Sequence, residues 1–291
     1  MKRIIVQILS AIGLNSHFQA FINKGIYQGK LKGFPCPAMN CYACPLARFA
    51  CPIGSLQHYA GIRAMPYYLM GMFGIIGFSF GRAACGWVCP FGFIQELLYK
   101  IRTFKIKIPH FFSYFKFVFL VMLVIVIPYL THESWFSKLC PVGLLDAGIP
   151  IIAWNPASGA LSGLRHLLGW LYFLKIGILL FIIGLSVVSK RPFCRIFCPL
   201  GAIFAIFNKV SLLQINIRKD RCIGEECDMC RRVCPMDISI YKNTSDLDCI
   251  RCGRCVAVCP ENALYVTPSF RKCKLTETQI RRASSATPDM E

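Results

Sequence analysis

Long apolar runs alternate with short stretches crowded with cysteine, proline and lysine, and that alternation predicts the first elements. Residues 4–22, 66–80, 111–130 and 167–189 are each read as a helix crossing a hydrocarbon core of about 30 Å. The run 4–22 is interrupted by Gln7, Asn15, Ser16, His17 and Gln19, so an amphipathic helix lying on a membrane surface is the alternative there. Residues 91–103 carry apolar positions at helical spacing, with Gln95, Glu96, Lys100 and Arg102 on the other side, and predict a helix along the interface. A loop holding Trp135 and Trp154 separates the third and fourth spans. From Arg218 the composition turns abruptly to that of a soluble module. The pattern predicts an all-α membrane domain of four transmembrane helices in two repeated halves (1–215), a soluble α+β module (216–268) and a basic tail (269–291).

Composition agrees with a bilayer setting: 55% of the 291 residues are hydrophobic and the mean hydropathy is +0.52. No small-residue cleavage site closely follows the first apolar run, so it reads as retained. Lys2, Arg3, Arg82, Lys100, Arg102, Lys105, Lys107, Lys190, Arg191 and Arg195 fall at one side of the expected spans, which the positive-inside rule makes cytoplasmic. Tyr67, Tyr68, Tyr129, Trp170 and Tyr172 form the opposite aromatic belt. Four spans then put both termini inside. The formal charge of +19 suits a membrane surface or an acidic partner, and thiolate-bound clusters would offset part of it. Lys116 and Lys175 lie within spans, where charge is costly. Snorkelling to the inner edge accounts for Lys116, whereas Lys175, deeper in its span, is a candidate neighbour of a quinone or a cluster.

Eighteen cysteines exceed what packing needs and point to iron–sulfur or zinc ligation. The phrase C-x3-C-P-Φ-G (Φ apolar) occurs at Cys85/Cys89 and at Cys194/Cys198, each time where an apolar run stops, and its C-P-Φ-G half recurs at Cys51 and Cys140. This is an internal repeat. Proline suits the first turn of a helix, so each such thiolate sits where free N–H groups and the helix dipole favour negative charge. In the soluble module, Cys222-x4-Cys227-x2-Cys230-x3-Cys234-Pro and Cys249-x2-Cys252-x2-Cys255-x3-Cys259-Pro follow the bacterial two-cluster run, whose fourth cysteine ligates the other cluster. Cys222, Cys227, Cys230 and Cys259 are thus assigned to one [4Fe–4S] cluster, and Cys249, Cys252, Cys255 and Cys234 to a second. The x4 spacing after Cys222 departs from that run. Cys85, Cys89, Cys194 and Cys198, two from each half, form the ligand set of a third at the inner membrane edge. Cys36, Cys41, Cys44, Cys51 and Cys140 sort to the outer side, where they leave open a fourth cluster or disulfides. Cys273 stands alone in the tail. The five histidines show no pairing at helical spacing within spans, which argues against bis-histidine haem.

These phrases, the spans and the double-cluster module together resemble the NapH/MauN-like family of membrane-bound polyferredoxins, over nearly the whole chain. The C-x3-C-P phrases are also similar to those of nitrous oxide reductase regulators and copper-oxidase assembly ferredoxins. The cysteines from Cys36 to Cys51 are not part of the family pattern. The resemblance implies a protein of the prokaryotic cytoplasmic membrane that passes electrons between a quinol pool or cytoplasmic donor and an extracytoplasmic acceptor, as one subunit of an oxidoreductase complex with redox protein partners. No group has the setting of an acid/base or nucleophilic catalyst, and nothing in the sequence calls for nucleic acid. A cluster-based redox sensor or metalloenzyme assembly factor is the alternative. A transporter would need polar substrate-lining helices that the spans lack.

Overall fold

The computed structural model describes residues 2–23, 25–154 and 169–268. Two of its helices are long and apolar enough to cross a membrane, His110–Thr131 with 22 residues and Trp170–Val188 with 19. They correspond to the expected third and fourth spans; Cys273, the tail and the start of the 167–189 run lie outside the described residues. The helix Tyr67–Phe80 has 14 residues, about 21 Å at 1.5 Å per residue. It ends at Gly81, whose φ of 56° only glycine adopts without strain and where a Cβ would lie 2.8 Å from Asn208 Oδ1.

The run 4–22 does not form one helix. It is helical over Lys2–Leu14, and the Asn15 side chain then donates back to the Ala11 carbonyl (3.1 Å), offering the backbone a local alternative to another turn. The face of this helix that meets the protein is polar. Arg3 Nε and Gln7 Nε2 both donate to the Gly86 carbonyl, at 2.7 and 3.0 Å, while Ile5, Leu9 and Ile12 are exposed.

The interfacial helix is Pro90–Leu98, and its polar side points inward rather than to solvent. Gln95 is buried and donates to Cys194 Sγ (3.2 Å) while its Oε1 accepts from the Phe193 N–H (3.1 Å). The expected loop between the last two spans contains an apolar helix, Pro141–Trp154, whose opening Cys-Pro pair has the N-terminal chemistry already noted. Each C-P-Φ-G phrase therefore opens a helix: Pro52–Gly61, Pro90–Leu98, Pro141–Trp154 and Pro199–Phe207.

The C-terminal module has one antiparallel pair, Leu213–Ile217 with Leu264–Pro268, in the register Ile215↔Val266. Two single-turn helices, Met229–Arg232 and Arg254–Val258, carry Cys230 and Cys255, and loops and turns beside them carry the module's other cysteines. It is fastened to the helical domain through Asp248. This fully buried carboxylate accepts from Arg82 Nη1 (2.8 Å), from Ser113 and from Lys116. Lys116 thus does not snorkel: it is 1% exposed and pairs inward, because the module places a carboxylate within its reach. Asn208 adds amide bonds to the carbonyls of Asp246 (3.0 Å) and Cys249 (2.9 Å).

Candidate iron–sulfur sites

The structure gathers the cysteines of the C-terminal module into two groups. A cavity is lined by Cys222, Cys227, Cys230 and Cys259, and another by Cys234, Cys249, Cys252 and Cys255, with Cys230 at its border. Cys259 thus lies on the cavity of the first run and Cys234 on that of the second, the arrangement that an exchanged fourth ligand needs. The longer x4 spacing leaves Cys222 on its cavity.

Cys85, Cys89, Cys194 and Cys198 are buried and lie within electrostatic reach of one another in every pairing. Two come from each half of the repeat, about a hundred positions apart in sequence. Their arrangement is governed by a residue that the C-x3-C-P reading overlooks. Arginine stands three positions before the first cysteine in both halves, Arg82 before Cys85 and Arg191 before Cys194. Each crosses to the other half: Arg82 Nη2 donates to the Cys194 carbonyl (2.7 Å) and Arg191 Nη1 to the Cys85 carbonyl (3.0 Å). Their exposures are 0% and 1%. The glycine of each phrase makes room for the crossing. A Cβ on Gly201 would lie 2.8 Å from Arg82 Nη2, and one on Gly92 would lie 2.9 Å from Arg191 Nη1. The repeated signal R-x2-C-x3-C-P-Φ-G was present in the sequence and could have revealed the pair.

Two of the helices are also capped alike at the thiolate end. Gly54 N–H donates to Cys51 Sγ (3.4 Å) and Gly201 N–H to Cys198 Sγ (3.3 Å), one cap in each pair of phrases, whereas Cys89 and Cys140 open their helices without such a bond. Such N–H donors stabilise sulfur that carries negative charge.

Arg191 in turn meets Glu96 (2.6 Å), which also binds Arg3 and Arg254 (2.8 Å). Burial opposes the charge on Glu96, but Arg191, then Arg3 and Arg254, outweigh it and hold the carboxyl below its usual range. One carboxylate thereby ties together the N-terminal helix, the buried quartet and the C-terminal module.

The remaining cysteines are not on a surface loop. Cys36, Ala38, Met39 and Asn40 are all buried, and the segment is closed by Cys36 N–H to Ala50 O and Ala50 N–H to Phe34 O, both 3.1 Å. Cys36 lies within electrostatic reach of Cys89 as well as Cys51, and the Met39 amide donates to Cys89 sulfur. Cys41, Cys51 and Cys140 line a cavity of about 230 Å³ together with Lys175. Cys44 is turned away from it into a small cluster with Ala47 and Ala147.

The donor sets suit clusters better than single ions. All 17 described cysteines are unpaired thiols. A tetrahedral zinc ion with Zn–S of about 2.3 Å draws its sulfurs to within about 3.8 Å of one another. Among the described residues, the trio of metal-capable side chains within 4.8 Å of one another is His110, Asp246 and Asp248, and no cysteine trio is that tight. The Nε groups of Arg82 and Arg191 are buried with no protein acceptor, a cost of about 1–3 kcal/mol each that acceptor sulfurs beside them would relieve.

Comparison with known proteins bears on this chemistry. A family of 4Fe-4S binding domains matches twice, over residues 64–109 and 172–219, so that each match contains one arginine–cysteine phrase; a second 4Fe-4S binding domain matches residues 246–265. An uncharacterized protein of Methanocaldococcus jannaschii is 32% identical over 202 residues, covering 66% of this chain and 74% of that one. The ferredoxin-type protein NapH of Escherichia coli is 28% identical over 201 residues, 64% of this chain and 62% of that one. The NapH of Haemophilus influenzae is 26% identical over 280 residues, 91% of this chain and 87% of its own. The chain belongs to the NapH-like family of ferredoxin-type proteins. No solved structure matches.

Proposed function

We propose that this protein is a membrane-embedded electron conduit, in which [4Fe–4S] clusters on the C-terminal module exchange electrons with a cluster held by Cys85, Cys89, Cys194 and Cys198. The observation that carries the reading is the position of Arg191. Its guanidinium is in electrostatic reach of Cys194 and Cys89 on one side and of Cys252 on the other, so the quartet and the nearer module site face a common cation. The backbones touch there too. A Cβ on Gly86, between Cys85 and Cys89, would lie 2.5 Å from the Ile250 carbonyl, and Trp87 Nε1 donates to the Arg251 carbonyl (3.2 Å).

Bilayer placement is supported by the inverted distribution of polarity. Arg82, Arg191, Arg195, Lys116, Gln7 and Gln95 are buried, whereas Ile75, Phe78, Leu180, Phe181 and Phe173 are exposed, which suits hydrocarbon as the outer solvent. The basic residues beside the module make its side the cytoplasmic one. When bound, the clusters supply one-electron redox chemistry. The protein's own groups set it: glycine amides donate to ligand sulfur, buried arginines offset cluster charge, and the apolar surroundings exclude water. Redox proteins are the partners this implies. Lys175 lies beside Cys41, Cys51 and Cys140, which favours its role as a cluster neighbour over that of a quinone ligand.

The test is anaerobic protein in sealed vesicles with a low-potential reductant outside and an impermeant redox dye inside. Dye reduction that needs the protein, and fails in Cys89→Ser, is expected. Protein that holds its clusters but leaves the dye oxidised, with or without added quinone, would sink the conduit. A periplasm-dependent reporter fused after Glu291 should stay silent.

A further inference from the structure

We infer that Cys36, Cys41, Cys51 and Cys140 hold a further [4Fe–4S] cluster, stacked against the Cys85/Cys89/Cys194/Cys198 site. The inference rests on the conduit reading for its purpose, but not for its chemistry. Three of these sulfurs border the same cavity of about 230 Å³, and Cys51 is in electrostatic reach of Cys36, Cys41 and Cys140. Two of them, Cys51 and Cys140, open helices through the same C-P-Φ-G phrase that Cys89 and Cys198 use, and Cys51 Sγ accepts the N–H of its own glycine (3.4 Å) as Cys198 Sγ does (3.3 Å). The quartet's design thus appears twice, with Cys51 and Cys140 standing where Cys89 and Cys198 stand.

Cys36 is assigned as the fourth ligand because it is buried in the same core as Cys51 and Cys140. Cys44 does not line the cavity and packs with Ala47 and Ala147 in a separate small cluster. Lys175 lines the cavity and Lys32 lies in reach of Cys41, two cations that face the sulfurs, while the carboxyl of Asp146 lies in reach of Cys41 and Cys51. The Cys36 sulfur, in reach of both Cys51 and Cys89, is the short link between the two sites. The route from the module would then run through the quartet into this second buried site, with Cys36 between them.

The experiment uses the full-length, anaerobically purified protein and reads iron content and Mössbauer and electron paramagnetic resonance spectra. Cys36→Ser, Cys51→Ser and Cys140→Ser should each lose about a quarter of the iron of a four-cluster protein and the same single signal. The signal lost in Cys89→Ser should remain in all three, and Cys44→Ser should keep every signal. Because a ligand variant can misfold, thiol alkylation of the wild-type protein gives a second reading. Cys36, Cys51 and Cys140 should be protected until iron is chelated. Full iron in Cys51→Ser and Cys140→Ser, or alkylation of these thiols before chelation, would overturn the site; loss of the signal in Cys44→Ser and not in Cys36→Ser would overturn the ligand assignment. Retained spectra with no dye reduction in vesicles would instead count against the conduit alone.

Discussion

The C-terminal module and the buried quartet handle the same chemistry in opposite ways. In the module, three of four ligands to each site come from within nine residues of sequence, the cysteines are mostly half-buried, and local turns place them. The quartet draws its ligands from two halves of the chain, and two fully buried arginines cross between those halves to hold the cysteine carbonyls. Local spacing makes a site that tolerates change around it. A site assembled across a repeat depends on every contact that docks the halves, and buried charge makes each of those contacts expensive to lose.

The largest expected effect tests that contrast directly. Cys89→Ser and Cys198→Ser should each abolish the same cluster signal, since three thiolates hold such a cluster poorly, while both module signals persist. Arg82→Gln and Arg191→Gln, which touch no iron, should do the same. The changes would remove a cross-half bond and leave buried thiolate charge without its counterion, a cost of about 3–5 kcal/mol. The measurement is low-temperature paramagnetic resonance of reduced protein. If the arginine variants keep the quartet's signal unchanged in intensity and potential, the crossing is ornamental.

What the sequence disclosed follows the same division. Cys222 to Cys259 were legible because ligand spacing is short and periodic, and the strongly apolar 111–130 and 167–189 runs were legible because length and hydropathy decide a helix. The polar side of Gln95 and Glu96 was read as a solvent face, for helical spacing tells which residues share a side and not whether water or buried arginine lies beyond it. Lys116 gave no hint of Asp248, 132 positions away. The repeated arginine was visible but silent, because its role appears only when the halves face each other. That the segment from Cys36 to Asn40 is buried was not legible, because nothing in its composition tells that Cys36 and Ala50 close it by backbone bonds.

Asp248→Asn should sharpen the comparison by loosening one region from the other. It leaves Arg82 and Lys116 buried with a neutral partner, again about 3 kcal/mol, and it weakens the joint between module and helices. Expected are intact module clusters, slower electron exchange with the quartet and faster proteolysis near residues 208–213. Unchanged proteolysis and exchange would show that Asn208, Trp87 and the Glu96–Arg254 pair maintain the joint without Asp248.

Glu96 has a smaller, pH-dependent share. Its carboxyl is lowered in the folded protein, so its stabilisation is complete above the unfolded carboxylate value of about 4.3 and fades as pH falls through the lowered value. At neutral pH, Glu96→Gln should cost about 2 kcal/mol. The loss would appear as a lower melting temperature and freer motion of the N-terminal helix by hydrogen exchange. The difference should begin to shrink below about pH 4.3 and vanish only once pH has fallen past the lowered value of the folded carboxyl. Equal melting at pH 7 would mean that Arg3, Arg191 and Arg254 find water or other partners.

The smallest effect concerns the glycines that admit the crossing arginines. Gly201→Ala would set a methyl 2.8 Å from Arg82 Nη2, and Gly92→Ala one 2.9 Å from Arg191 Nη1, so each guanidinium must yield a few tenths of an ångström. Overpacking of this kind costs about 1–3 kcal/mol, too little to expel the cluster but enough to move a cation relative to it. A displaced positive charge stabilises the reduced cluster less, so the quartet's potential should fall in both variants while the module potentials stay fixed. Gly143→Ala is the internal control. Its nearest neighbour is Cys41 Sγ at 3.5 Å, an ordinary contact, and no arginine crosses there, so the quartet should not respond. A drop in potential shared by all three variants would trace the effect to helix packing in general, and a drop confined to Gly92 and Gly201 would trace it to the arginines.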